Sequence, residues 1–390
     1  QGRIGIGPID LDLKRLYTFN EVEKSRIGIG LQTNEKLSRK FTVGGWVGYG
    51  FQDQKGKSGG FLQIHPLRDT RFSLHGGYEY NLKESGSSSF ATNMKQQLYE
   101  RNEIAFSVRS FNLRIMDYSE RVYGNLYFPT LPGLSHRIGW QQETIHPAFQ
   151  YSWSKQPVQE PQTVFQFQEW TIESRFAFRE KFFVDGTRYV TKPTKFPVIQ
   201  VRWVLGSFRS ENQTERYNLY DFSISQKLDV KHFGIFLDKI LGVHFSGSPP
   251  YSRLHISPGN GIRNFSTDPF TFVTMDLNQF ASDEYLNGFF NWNIPNHRFP
   301  SKHYSPEPTL LYHVSWGGLR DSSQIHTGIT VGGPEKIYQE VGVGVTHLFP
   351  ESIAQKISSL RFLGIGVFYR VGAYQTNSNW FARLFYQLEF

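Results

Sequence analysis

Hydrophobic and polar residues alternate along most of this chain with a period of two. Between residues 71 and 82, Leu74 and Tyr78 belong to the apolar set, and His75 and Glu79 belong to the polar set between them. Successive side chains of a strand point to opposite faces, so this period predicts strands with one apolar and one polar face. The same split recurs at 170–179, 199–205 and 220–229.

This alternation predicts about 16 antiparallel strands, and 14 to 16 fits the even strand number of bacterial single-chain barrels. The predicted strands cover 25–35, 41–54, 57–66, 70–82, 103–113, 119–129, 135–153, 165–181, 196–208, 215–230, 233–246, 284–294, 308–318, 337–349, 360–372 and 379–390. We therefore expect an all-β transmembrane barrel over residues 25–390, preceded by a periplasmic lead-in at 1–24.

The last predicted strand continues to the final residue. Apolar side chains fall on alternate positions from Trp380 and include Tyr386, Leu388 and Phe390. An open hydrophobic edge invites aggregation, whereas a closed barrel pairs its last strand with its first. The pattern favours a barrel over a soluble β-sandwich, the main alternative for an aromatic-rich β chain. A terminal aromatic residue on such a strand also resembles the sorting signal of Gram-negative outer-membrane barrels.

The composition narrows the possible classes of protein. The chain has 390 residues, with 35 Phe, 20 Tyr and 8 Trp, which fits an apolar band between aromatic girdles. No run approaches the roughly 18 apolar residues of a membrane-spanning helix. Cys is absent, so no disulfide framework is expected. The net charge of +8 is scattered singly, which argues against nucleic-acid binding and for a polar lumen and attraction to anionic lipid or an acidic partner.

The two faces of the predicted strands have different surroundings in a barrel. Polar side chains are expected to line a wet lumen, and apolar ones to contact lipid. The residues predicted to face lipid are Leu74, Tyr78, Trp203, Ile224, Ile365 and Val367.

A long connection at 247–283 precedes the last five predicted strands. With a periplasmic C-terminus, it is an extracellular loop, as are 319–336 and 373–379. It contains Gly261, Ile262, Arg263, Asn264 and Phe265. This run resembles the Val/Ile-Arg-Gly-Phe/Tyr motif of the sixth extracellular loop in the 16-stranded outer-membrane assembly and two-partner secretion superfamily, whose barrels follow POTRA domains.

That resemblance implies a loop folded into the lumen, with Arg263 as its anchor. In the superfamily an acid on a partner strand usually receives this arginine, but the corresponding strand at 310–317 has no acid. Backbone carbonyls, aromatic faces, Asp221 or Glu173 are the expected partners instead. The missing acid puts insertase activity in doubt. An ordinary Gly/Asn turn with a solvated arginine is the other reading of the run.

A second resemblance extends over nearly the whole chain. The segments that carry it are 20–23, 26–34, 275–285, 293–295, 338–344 and the last strand. They resemble an uncharacterised outer-membrane barrel family whose members carry a carboxypeptidase-regulatory-like domain before the barrel. Residues 1–7 do not form a signal peptide, so we expect that a signal has been removed or that this is the C-terminal part of a longer protein.

Three functions remain open at this stage. The first is an outer-membrane barrel in protein assembly, export or envelope biogenesis, within a larger complex whose client is unidentified. The second is a non-catalytic structural or interaction barrel. The third is a small-solute channel or an outer-membrane enzyme, for which His75, His244 and His313 lie on predicted lumen faces.

The sequence lacks the common hydrolase, phosphate-loop, dinucleotide and zinc-protease motifs, so we expect no enzyme, no cofactor and no metal. The expected partners are outer-membrane lipid or lipopolysaccharide and envelope proteins, without nucleic acid.

Overall fold

The chain folds almost entirely into β-strands that share one large sheet. The structure is a computed structural model. It describes residues 2–67, 71–86, 111–155, 161–185, 188–192, 194–210, 213–260, 265–266, 269–295, 306–320, 323–349 and 363–386. Among these residues, no helix is both long and apolar enough to cross a membrane.

The strands in chain order are β1 (Arg3–Ile6), β2 (Ile9–Asp12), β3 (Tyr17–Asn20), β4 (Lys24–Thr33), β5 (Phe41–Gly50), β6 (Gly56–Ile64), β7 (Ser73–Glu84), β8 (Met116–Leu131), β9 (Leu134–Pro147), β10 (Ser152–Lys155), β11 (Phe165–Ala177), β12 (Lys181–Asp185), β13 (Arg188–Lys192), β14 (Val198–Ser210), β15 (Gln213–Val230), β16 (Gly234–Ser246), β17 (His255–Ile256), β18 (Gly259–Asn260), β19 (Phe265–Ser266), β20 (Phe272–Asp276), β21 (Ala281–Ser282), β22 (Glu284–Asn293), β23 (Glu307–Gly318), β24 (Gln324–Thr327), β25 (Tyr338–Thr346), β26 (Leu363–Gly372) and β27 (Trp380–Tyr386). Two 3-10 turns, η1 (Leu13–Arg15) and η2 (Tyr251–Arg253), complete the described elements.

The long strands pair antiparallel with their sequence neighbours. From β4 the order runs β5, β6, β7, β8, β9, β11, β14, β15, β16, β22, β23, β25, β26 and β27. This up-and-down order confirms the predicted antiparallel outer-membrane barrel. The main sheet contains 19 described strands rather than about 16, because the first strand of the barrel is divided into β2 and β3, and β1 and β19 are short additions.

The first strand position in the barrel wall, which we call the first stave, covers residues 9–20 and is interrupted. Its strand β2 pairs with one end of β4, where Ile9 lies opposite Thr33, and β3 pairs with the other end. The turn η1 bends inward between them, and a Cβ on Gly28 would lie 2.8 Å from the Arg15 carbonyl, so glycine makes this approach feasible. Residues expected as a periplasmic lead-in are thus part of the sheet, because pairing with β4 overrides the weak periodicity of this short stretch.

The seam between the first and last staves is lined by two short strands. On one side β1 folds back along β2, with Arg3 opposite Asp12. On the other side β19 runs parallel to β27, with Phe265 opposite Leu384. Within the described part of the chain, β27 pairs with β26 and β19, and no ladder joins it directly to β2 or β3, so the expected direct pairing of the last strand with the first is not seen there.

The two faces of the sheet have opposite chemistry, as two neighbouring rungs of β14 and β15 illustrate. In one rung Arg202 lies opposite Asp221, and both are buried as an ion pair. In the next rung Trp203 lies opposite Tyr220, and their exposed rings stack 6.3 Å apart. Polar side chains point inward and apolar ones outward, the inverse of a soluble sandwich.

Three long connections lie at one end of the barrel. They are the segments 148–164, 247–283 and 319–337, and their described residues share a buried aromatic cluster with the strand ends around them. Trp153 of β10 lies opposite His326 of β24, and Tyr151 packs 6.1 Å from Tyr251, measured between ring centroids. We call this end the capped end and the other the open rim.

Candidate functional site

The connection between β16 and β22 turns into the barrel interior. We call residues 247–283 the inner loop. Its described residues touch opposite walls of the barrel, because Arg253 contacts β9 and β11 whereas Val273 and Thr274 contact β25. The run 249–259 is buried throughout. This placement agrees with the expectation that the loop folds into the lumen.

The first half of the inner loop is anchored by Arg253, the last residue of η2. Its Nε donates to Glu169 Oε1 at 2.8 Å, and its Nη2 donates to Glu143 Oε2 at 2.7 Å. The guanidinium also lies 3.8 Å from the ring centroid of Phe167. Only 4% of the Arg253 side chain is exposed. A planar guanidinium reaches the two carboxylates through separate nitrogens, whereas a lysine ammonium would have to reach both from one nitrogen.

The two acids that receive Arg253 are themselves held by other barrel strands. Lys83 of β7 and Ser119 of β8 donate hydrogen bonds to Glu143, and the Tyr217 hydroxyl of β15 donates a hydrogen bond to Glu169. Buried carboxylates are costly unless they are paired and hydrogen-bonded. These strand contacts hold both acids in place for the loop arginine.

The second half of the inner loop is anchored by Glu340 of β25. Its carboxylate accepts the backbone N–H groups of Val273 and Thr274, both at 2.8 Å, and the Thr274 hydroxyl at 2.7 Å. Nδ1 of His313 lies 2.9 Å from Oε1 of Glu340. His313 belongs to β23, the strand on which the sequence offered no acid for Arg263. Arg370 of β26 donates to the Thr274 carbonyl. The loop is thereby fixed to the wall next to the seam.

The structure does not test Arg263 as the anchor. Gly261, Ile262, Arg263 and Asn264 lie outside the described residues, and Phe265 lies on β19 beside β27. Of the two acids suggested as its partners, Asp221 pairs with Arg202 and Glu173 pairs with Arg137. The described anchor is Arg253.

The other predicted residues occupy both faces. All six residues predicted to face lipid are exposed: Leu74, Tyr78, Trp203, Ile224, Ile365 and Val367. Tyr386 ends β27, whereas Leu388 and Phe390 lie outside the described residues.

The three histidines do not share one face. His75 and His313 point inward, where His75 packs against Phe61 and Tyr123. His244 stacks at 6.3 Å on the exposed Tyr220, so its predicted lumen position was wrong. The register of a strand decides which face each of its residues occupies. The sequence alone did not fix the register at the end of β16, where His244 lies. In the described ranges, no group of three or more His, Asp or Glu residues is arranged to hold a metal ion.

Sequence reasoning missed Arg253, Glu143, Glu169 and Glu340. One signal was available, because Arg253 is the sole Lys, Arg, Asp or Glu in the run 240–262. A single cation in such a run needs acids from elsewhere in the fold. The sequence did not indicate which acids would meet it.

Two solved structures are similar to this chain. BamA from Haemophilus ducreyi lacking POTRA domains 1–3 has a TM-score of 0.50 and 12% identity, with 94% of this chain and 68% of that chain covered. CdiB from Acinetobacter baumannii has a TM-score of 0.42 and 7% identity, with 94% and 57% covered. The first likeness supports the barrel fold alone. No curated protein matches the sequence.

The sequence match agrees with the uncharacterised barrel family expected from the residues. Residues 8–297 match the C-terminal domain of a family of unknown function (DUF5686), and this match covers most of the chain. The chain belongs to that family.

Proposed function

We propose that this barrel acts in the outer membrane in protein assembly, protein export or envelope biogenesis, as one subunit of a larger complex. The observation that carries the proposal is the seam. The outer edge of β27 is occupied by the two residues of β19, which belong to the inner loop and not to another barrel stave. The fold likeness to BamA is consistent with this role.

Because only two residues of β19 cover this edge of β27, a strand of another protein can take their place. Unpaired backbone groups at a sheet edge recruit an added strand, which is how many extended peptides bind. If β19 leaves β27, the exposed edge can receive a strand of a client protein. The anchor at Glu340 lies close to this edge, because Arg370 of the neighbouring strand β26 also holds Thr274.

A reversible lock on this edge tests the proposal. The chain has no Cys, so two introduced cysteines are the sole thiols. Ser266→Cys with Phe385→Cys joins register partners of β19 and β27. We expect oxidation to lower the levels of other outer-membrane proteins in a host that depends on this barrel, and reductant to restore them.

The matched control joins strands that are already neighbours. Val367→Cys with Ala382→Cys links register partners of β26 and β27 and leaves the edge of β27 unchanged. It should cross-link without affecting client levels. Full cross-linking of the first pair with no change in any outer-membrane protein would contradict an assembly or export role.

A structural or interaction barrel is the second candidate function. Its support is the inner loop, whose described residues cross the interior and are fixed both to β9 and β11 and to β25. A cavity of about 150 Å³ lies between the first strands, beside Arg15, Trp46 and Glu79. A loop fixed across the interior also weighs against a solute channel, because a water-filled lumen is needed for conduction. Unchanged client levels together with a stable co-purifying envelope protein would favour this second reading.

Localisation and partners remain part of the proposal. We infer an outer-membrane location with the end of β27 at the periplasmic side, which makes the capped end extracellular. Contacts with outer-membrane lipid or lipopolysaccharide and with envelope proteins are expected, and the absence of catalysis stays a prediction. Purification from native outer membranes, with identification of co-purifying proteins, tests the expected complex.

A further inference from the structure

The outward face of the barrel wall changes from apolar to polar at one level near the capped end. On β14 the outward positions are apolar as far as Leu205 and polar at Ser207 and Arg209. On β11, Trp170 lies opposite Leu205, and the next outward position toward the capped end is Gln168. A lipid-facing band ends where polar side chains begin, so this level lies at the membrane–water interface.

Aromatic rings lie along the apolar side of this border. Trp170 is 53% exposed and lies opposite Trp140 of β9. On β15, the next outward position after Tyr220 toward the capped end is Asn218. Its side-chain oxygen accepts a hydrogen bond from Nε1 of Trp203 at 3.4 Å, so the indole directs its polar edge toward the polar side. Tryptophan and tyrosine in this arrangement are typical of the aromatic belt at a membrane interface.

Two arginines lie on the polar side of the border, on the hairpin of β14 and β15. Arg209 lies opposite Thr214, and Arg216 lies opposite Ser207, so the two arginines are diagonal neighbours on the same face. Diagonal neighbours across an antiparallel pair are about 7–8 Å apart. Two long side chains at this spacing can converge on one bound group.

No acid neutralises these arginines on the described part of this face. Both are exposed, and neither forms an ion pair with a described residue. Glu215, the chain neighbour of Arg216, lies on the opposite face of the hairpin, where it pairs with Lys155 at 3.1 Å. The other outward polar residues of β9, β11 and β14 at this level carry amides or hydroxyls: Gln142, Thr144, Gln166, Gln168 and Ser207. This face is therefore complementary to a negatively charged group.

We propose that Arg209 and Arg216 bind a phosphate of lipid A, the lipid anchor of lipopolysaccharide, at the surface of the outer leaflet. The proposal rests on the proposed function, in which lipopolysaccharide is an expected contact and the capped end is extracellular. Clustered basic residues at a membrane surface attract anionic lipid head groups, with a strength that falls as salt screens the charges.

Three parts of lipid A match three parts of this surface. The guanidinium groups contact the phosphate, whose oxygens accept paired N–H donors from arginine. The amide and hydroxyl side chains beside them, Gln166, Gln168 and Ser207, contact the sugar hydroxyls. The exposed rings of Trp170 and Trp203, on the apolar side of the border, contact the upper part of the acyl chains.

Native mass spectrometry of the whole chain in detergent tests the site, with lipid A, lipid A stripped of its phosphates and phosphatidylglycerol as the added lipids. We expect lipid A to be retained in preference to the other two. Combined Arg209→Gln and Arg216→Gln should weaken its retention by roughly tenfold or more at low salt. Lysine at both positions should preserve part of it, because lysine binds phosphate as a point charge.

The control removes two exposed cations from the open rim, with Lys36→Gln and Arg39→Gln. It changes the net charge equally, so retention of lipid A close to that of the parent chain is expected. An equal loss in both double variants overturns the proposal, because retention would then depend on net charge alone. Equal retention of lipid A with and without its phosphates overturns it as well, as does preferential retention of phosphatidylglycerol.

A separate measurement tests the orientation on which the site rests. The chain has no Cys, so Thr214→Cys, between the two arginines on the same hairpin, gives a sole thiol. A membrane-impermeant maleimide should label it on intact cells. Absence of labelling contradicts the inferred orientation and the site together. Labelling without preferential retention of lipid A contradicts the site alone and leaves the orientation in place.

Discussion

Arg253 and Glu143 lie 110 positions apart in the chain, yet Nη2 of the arginine donates to Oε2 of the glutamate at 2.7 Å. With Glu169, they join the inner loop to β9 and β11. Because all three side chains are almost fully buried, removing the Arg253 charge leaves the Glu169 carboxylate without its cation and leaves Glu143 with Lys83 alone.

Arg253→Ala should release the first half of the inner loop. Breaking a buried ion pair from one side costs roughly 3–5 kcal/mol. We expect faster proteolysis within 247–260 while the barrel keeps its heat-modifiable gel mobility. Arg253→Lys should be intermediate. Combining Arg253→Met with Glu143→Gln and Glu169→Gln removes the charges of the two buried carboxylates and should restore part of the protection against proteolysis. Unchanged cleavage in Arg253→Ala would refute the anchor.

Glu340→Gln should loosen the second half of the loop. The amide keeps the shape of the carboxylate but loses the negative charge that accepts the N–H groups of Val273 and Thr274. Hydrogen bonds to charged groups contribute roughly 1.5–3 kcal/mol, so amide exchange at these positions should be about ten- to a hundredfold faster. Glu284→Gln, at the exposed pair with Arg320, is the control and should leave exchange at 273–274 unchanged.

Ile365→Arg should impair barrel assembly. Ile365 is exposed on β26, and an arginine at the bilayer midplane of a lipid-facing strand costs roughly 2–4 kcal/mol. Gln63→Arg places the same side chain on the inward face of β6, the face on which Lys57 also lies. This variant should assemble normally. Arg202→Gln is unsuitable as a tolerant lumen change, because it leaves Asp221 buried without its arginine. Equal yields of folded Ile365→Arg and Gln63→Arg in outer-membrane fractions would contradict the lipid-facing assignment.

Acid should loosen the capped end around His326. Burial lowers the pKa of His326 to about 4, and its ring lies 3.0 Å from the Tyr151 hydroxyl. The unfolded chain binds this proton near pH 6.5, so the stabilisation is complete above that pH and is lost as the pH falls toward 4. The loss reaches about 3 kcal/mol. Exchange of residues 152–155 and 324–327, corrected for intrinsic rates, should rise between pH 7 and 4.5, and His326→Phe should abolish this rise.

The facing of the strands could be read from the sequence, whereas the anchors could not. Trp203 and Ile365, which the alternation placed on the apolar face, are exposed on the sheet, because alternation depends only on residues two positions apart. Arg253 meets Glu169 across 84 positions, and that meeting depends on the path of the loop through the lumen. A matching short motif drew attention to Arg263 instead, although such a motif specifies no partner.

The first stave was missed for a related reason. Its two halves are each four residues long and are separated by η1, so neither gives a convincing period. A strand was predicted instead at 103–113, most of which lies outside the described residues. Pairing with β4, rather than local preference, gives residues 9–20 their strand structure.

The broken first stave also bears on how the barrel comes apart. It is joined to β4 by three residue pairs at one end and four at the other, whereas β14 and β15 share an unbroken ladder of thirteen. Under a mechanical load applied at the N-terminus, the ladder with the fewest rungs yields first. Pulling the chain from that end should therefore give an early, low-force extension from residues 1–23, followed by stepwise removal of the longer hairpins, each at a higher force.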